Sequence, residues 1–238
     1  MDCLGATCGN SFYNDDNPDQ VYRLVISLFL CAGILHLVVM LVFNATILRD
    51  IEGYAGCFRT GTIFILSGIG GNLWSSILLP YQAEVGESGA MFGIFACVFV
   101  EGLRKWKLLV SPWMYLGKLM LLLFVALLFG LLPMVDNYAH MFGFLYGILL
   151  GFPLLPTIPT TDEDEDPEGY KRETTINLIV NILCLLLAIG LTVLGVFLFF
   201  IKQDAQSTAI AWFNCPFGDS FCRNFNQGQQ LEPRLVQY

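Results

Sequence analysis

Gly86-Glu87-Ser88-Gly89 sets a serine between glycines just ahead of an apolar run. A serine at a loop-to-helix junction is a candidate nucleophile. Glycine lets the backbone come close to a substrate, and the free N–H groups of a helix N-terminus can stabilise a developing oxyanion. On its own such a tetrapeptide is more often a tight turn. His140, in Asp136-Asn137-Tyr138-Ala139-His140, supplies a partner, because serine attacks well only when an adjacent base takes its proton. The chemistry of such a dyad is peptide-bond hydrolysis through an acyl-enzyme. Backbone N–H groups around Gly86 and Gly89, together with His36, the only other histidine, would then bind the oxyanion. The plainer alternative for each histidine is a hydrogen bond between packed helices.

The elements that carry these residues follow from composition. Of 238 residues, 55% are apolar and 13% charged, with a net charge of −8. Soluble domains carry roughly 25% charged residues, so this chain has too few to cover a water-exposed surface. Disorder needs low hydrophobicity, and nucleic-acid binding needs a basic face; neither fits. The sequence predicts an all-α polytopic membrane protein. Apolar runs fall at about 24–48, 61–79, 89–103, 113–132, 138–155 and 174–201. A span needs about 20 residues, and at ~1.5 Å rise the third run reaches only about 22 Å. Either it is not a span, or it starts below the membrane surface, with Pro80 to Gly89 then a loop dipping inward. Irregular backbone at that depth is tolerated only inside protein or beside water, which marks a site.

Arg49, Arg59, Arg104, Lys105, Lys107, Lys171 and Arg172 fall in alternate loops, seven of the twelve basic residues. Positive loops face the cytoplasm, so both termini are expected to be lumenal or exoplasmic. The chain divides into an N-terminal segment 1–23 with Cys3 and Cys8, a membrane domain 24–201, and a C-terminal tail 202–238 with Cys215 and Cys222. Four tail cysteines in an oxidising compartment suit two disulfides. No metal site or cofactor is expected, and the acidic stretch Thr160 to Glu168 reads as a solvated loop.

Gly89 and Gly93 are spaced i, i+4, as are Gly143 and Gly147. Small residues at that spacing let two membrane helices approach closely. The third and fifth spans would run in the same direction, so Ser88 and His140 would lie at similar depth. Asn72 reads as interhelical glue. Asn44, two turns beyond His36 and nearer the cytoplasmic end, is a poor candidate for the same site.

The chain resembles the rhomboid superfamily in His36, in the GxSG at 86–89 and in Ala139-His140-x-x-Gly143. Finer features are similar to the branch of inactive rhomboids. They include Pro18-Asp19-Gln20-Val21-Tyr22-Arg23-Leu24, Thr46 to Glu52, Ile63 to Ile69, Leu79-Pro80-Tyr81, Ala83 to Gly86, Leu131-Leu132-Pro133, and the tail from Cys215-Pro216-Phe217 to Phe221-Cys222. The resemblance covers about 18–225. It implies a six-helix core plus one C-terminal helix, of which the spans here look like the second to the seventh.

On activity the resemblance pulls two ways. Inactive rhomboids usually have proline where Glu87 stands and often lack the serine, whereas here Ser88 and His140 are both present. Active members commonly show His-x-x-x-Asn, where this chain reads His36 to Met40, and a thioether donates no hydrogen bond. Losing one oxyanion donor costs ~10²–10³ in turnover. Cys31 stands where many relatives have another histidine. The favoured expectation is an intramembrane serine endopeptidase, a hydrolase of transmembrane helices, with Ser88 as nucleophile and His140 as base. The alternative is an inactive rhomboid that binds single-pass membrane clients and governs their trafficking, as the resemblance implies for membrane-anchored growth factors and an ADAM-type metalloprotease. Either sits in the bilayer of the endoplasmic reticulum, Golgi or plasma membrane.

Overall fold

The computed structural model describes residues 13–14, 17–18, 22–31, 33–79, 86–131, 135–157, 159 and 166–201. The four tail cysteines, the loop 80–85 and most of the acidic stretch lie outside them. A two-residue antiparallel ladder pairs β1 (Tyr13–Asn14) with β2 (Asn17–Pro18). All other regular structure among the described residues is helical: α1 (Arg23–Ile26), a 3-10 turn (Ser27–Phe29), α2 (Ile34–Phe43), a π turn (Asn44–Leu48), α3 (Arg49–Ala55), α4 (Cys57–Leu78), α5 (Ser88–Arg104), a 3-10 turn (Trp106–Leu108), α6 (Pro112–Phe129), α7 (Asn137–Leu154) and α8 (Pro167–Ile201).

The first apolar run departs from expectation. It is not one helix over 24–48, because Leu30 is extended and the helix starts again at Ile34, running unbroken to Ala55. The residues before the break lie across the end of α4. Leu24 and Leu28 are buried, and Asn72 on α4 donates to Leu24 O at 3.0 Å and to Ser27 Oγ at 2.8 Å. Asn72 is thus the glue it was expected to be, although it holds a short capping segment and not a second span.

Among the described residues, four helices are long and apolar enough to cross a membrane on their own: Ile34–Ala55, α4, α6 and α8. α5 and α7, with 17 and 18 residues, do not meet that mark and form the centre of the bundle with α4. A helix shielded by other helices has less need of apolar side chains than one facing lipid. Accordingly α4, with 61% of its span buried, has a mean hydropathy of 1.3, whereas α6, with none buried, has 1.9.

Glycine makes the centre possible. A Cβ on Gly143 would collide with the backbone of Gly89, and one on Gly147 with the backbone of Gly93. Gly71 on α4 lies under the Ala139 carbonyl, where a Cβ would sit 2.7 Å from the oxygen. Gly89 and Gly93 thus meet Gly143 and Gly147 along a seam, with α4 as its third wall. α8 closes the far side. Tyr146 Oη lies 3.0 Å from Thr192 Oγ1, and Trp74 stacks on Phe142 at 4.8 Å. At the basic end, the Arg104 guanidinium donates to the carbonyls of Phe152 and Leu155 and to Asn181 Oδ1, tying α5, α7 and α8 together.

Candidate functional site

Gly86 stands two residues ahead of α5. Its φ of 124° is open to glycine and strained for other residues. Its N–H donates to Ser27 O at 2.9 Å, so the capping segment holds Gly86 in place. The His36 ring packs against Gly86 so closely that a Cβ there would collide with it. Because the helix restarts at Ile34, His36 lies in the first turn of α2 and not in the middle of a span.

Ser88 is the first residue of α5 and is half-buried. Glu87 occupies the cap position, but its carboxyl group does not cap the helix. It accepts a 2.7 Å hydrogen bond from Asn44 Nδ2. Asn44 is ten residues beyond Ile34, or about 15 Å along the helix. The α5 N-terminus therefore lies beside the interior of α2, between the levels of His36 and Asn44.

His140 is set by the cap of α7. Asp136 accepts from the N–H groups of Tyr138 at 2.8 Å and Ala139 at 3.2 Å, and from Ser75 Oγ on α4. This places Ala139 against Gly89, where a Cβ would lie 3.2 Å from the Ala139 carbonyl oxygen. Ser88 and His140, one residue away on each helix, are thus neighbours across the seam. They make no hydrogen bond with each other. The His140 ring lies flat on Phe92, 4.2 Å between centroids and 12° from parallel, and its buried Nδ1 has no hydrogen-bond partner among the described residues.

Two further positions matter. Met40 is buried, and the Cys31 thiol donates to its sulfur at 3.6 Å. The two residues that replace an expected asparagine and histidine therefore meet each other.

Sequence reasoning missed Asn44, because a straight helix over 24–48 put it near the cytoplasmic end. The break at Leu30 moves it to the middle of the span. Asp136 as a joint between α4 and α7 was also missed, although Asp-Asn ahead of an apolar run is an N-cap signal. Glu87 was noted only for the proline it replaces.

The sequence matches the Rhomboid domain over residues 18–157. It is 42% identical over 231 residues to inactive rhomboid protein 1 of Homo sapiens and 44% identical over 234 residues to inactive rhomboid protein 2 of Homo sapiens. It is 42% identical over 230 residues to inactive rhomboid protein 1 of Danio rerio. Each match takes in 96% of this chain and 26% of the relative, so the chain spans about a quarter of the length of these curated relatives. That such similar proteins are named inactive overturns the expectation of a serine endopeptidase. In the structure Ser88 and His140 share no hydrogen bond, the His140 ring is stacked on Phe92, and the Met40 thioether faces the Cys31 thiol.

Proposed function

The chain belongs to the rhomboid family, and on that premise we propose that it is a non-catalytic rhomboid that binds the transmembrane helices of single-pass client proteins and governs their trafficking or stability. The observation that carries this reading is the 42–44% identity to proteins named inactive rhomboids, along nearly the whole chain. A binding role needs the rhomboid scaffold without the dyad. The glycine seam, and Gly86 held by Ser27 and packed against His36, support that scaffold. In this reading Ser88 and His140 serve packing, and His36, Gly86 and Gly89 shape the N-terminus of α5 where an oxyanion site would otherwise stand.

Exposed surface supports a client-binding role. The outer side of α2 presents Leu35, Val38, Val39, Leu41 and Val42, and none of the residues of α6 is buried. Apolar helix surfaces of this kind suit lipid and the helices of other membrane proteins alike. The distribution of basic residues supports placing both termini on the lumenal or exoplasmic side, in the secretory pathway or at the plasma membrane.

The test is photocrosslinking in membranes from α2 positions Val38 and Val42, with the double variant S88A/H140A alongside. Capture of intact single-pass proteins, equal in both forms and absent from an unrelated polytopic protein, is the expected result. Clients recovered as cleaved fragments in the parent but not in the double variant would overturn it, as would no capture above the control.

A further inference from the structure

The basic end of the bundle holds a cleft of about 190 Å³ between the turn after α5 and the first turns of α8. It is lined by Lys107, Gly169, Arg172, Glu173, Ile176 and Asn177. The neighbouring cations are already engaged. Arg104 is spent on the carbonyls of α7 and on Asn181, and Lys105 is paired with Glu101 at 2.6 Å. Lys107 and Arg172, from two separate elements, make no hydrogen bond or ion pair among the described residues, and both are exposed. The cleft therefore offers two free cations against the single carboxylate of Glu173. The α8 N-terminus adds little, because Asp166 already accepts from the Gly169 N–H at 3.0 Å.

Depth and surroundings narrow the ligand. Trp106, next to Lys107, packs edge-on against Trp113 at 5.0 Å, and tryptophan gathers at the headgroup level of a membrane. Below the cleft the exposed face of α8 continues through Ile176, Ile179 and Leu183, spaced along one side of the helix. A polar cleft with cations, opening onto an apolar stripe at the membrane interface, matches a phosphate joined to an acyl chain. Basic pockets between membrane helices recognise lipid headgroups in this way.

We propose that this cleft binds an anionic phospholipid, with Lys107 and Arg172 holding its phosphodiester and an acyl chain lying along Ile176, Ile179 and Leu183. Asn177 stands where it can donate to the headgroup. The site does not depend on the client-binding reading.

The experiment is native mass spectrometry of the full chain released from nanodiscs of phosphatidylglycerol and phosphatidylcholine with identical acyl chains. The variants are K107Q/R172Q and, as control, K171Q, which removes an exposed charge beside the cleft but outside its lining. The expected result is preferential retention of phosphatidylglycerol, lowered about tenfold or more in K107Q/R172Q, the loss expected for two cations near a charged lipid. K171Q and millimolar inorganic phosphate are expected to leave it unchanged. Equal loss in K171Q would show only general charge attraction and overturn the site. Displacement by inorganic phosphate would show a free-anion site and overturn the lipid. No preference for phosphatidylglycerol in the parent would overturn both.

Discussion

Asn44 donates a 2.7 Å hydrogen bond to Glu87, the residue immediately before Ser88. This joins the middle of the α2 span to the N-terminus of α5. A hydrogen bond to a carboxyl group in a shielded place is among the stronger polar contacts a protein makes. Replacing Asn44 by alanine leaves the buried Glu87 without this donor. We expect N44A to cost about 1–2 kcal/mol, between the values for bonds to charged groups in water-soluble proteins and for side-chain bonds within membranes. E87Q keeps an acceptor for Asn44 and is expected to cost less. Reversible unfolding in mixed micelles measures both.

The glycine seam gives a sharper contrast. A Cβ on Gly143 meets the Gly89 backbone, which cannot move aside, whereas a Cβ on Gly117 of α6 meets nothing within 4 Å. G143A is expected to destabilise the protein by about 1–3 kcal/mol through overpacking. G117A is expected to be neutral or to stabilise by up to about 1 kcal/mol, from helix propensity alone. Thermal unfolding of the two variants side by side checks the difference, and equal effects would contradict the packing described.

Asp136 serves two helices at once, as the cap of α7 and as the acceptor for Ser75 of α4. Loss of an N-cap typically costs about 1 kcal/mol, and the lost bond to Ser75 adds to it. D136A is expected to cost about 2 kcal/mol, and D136N less, since asparagine caps nearly as well as aspartate. The check is the unfolding midpoint together with protection of the Tyr138 and Ala139 amides from hydrogen exchange.

At the other end, Arg104 forks across carbonyls of α7 and the Asn181 side chain of α8. Lysine keeps the charge but not the planar fork. R104K is expected to lose most of what R104Q loses, about 1.5–3 kcal/mol. Protease cleavage between α7 and α8 should rise in both variants. Unchanged cleavage in R104K would show that charge alone holds this end.

How much of this was legible in the sequence depends on the kind of signal. The glycine pairs at 89/93 and 143/147 announced the seam, because i, i+4 spacing is a local pattern that dictates helix approach. The shortness of the 89–103 run marked α5 as unlike the longer helices around it. The break at Leu30 was not legible: Leu30, Cys31 and Ile34 are apolar, and a window of hydropathy reads straight through them. That one break moved His36 to a helix start and brought Asn44 to Glu87. Site chemistry was the least legible part. Ser88 and His140 carry the residue types of a dyad and lie on facing helices, yet type and proximity did not give a hydrogen bond. The ring of His140 went instead to Phe92, a half-buried aromatic that no spacing rule singles out.

In the proposed role this rhomboid scaffold works without an activated serine. The direct measurement is labelling of the full chain in membranes by a fluorophosphonate probe, with S88A and H140A alongside and an active serine hydrolase as positive control. A serine that is not activated gives no labelling of the folded parent above the level of S88A. Labelling that is lost in both variants would mean that His140 activates Ser88, and would contradict that role.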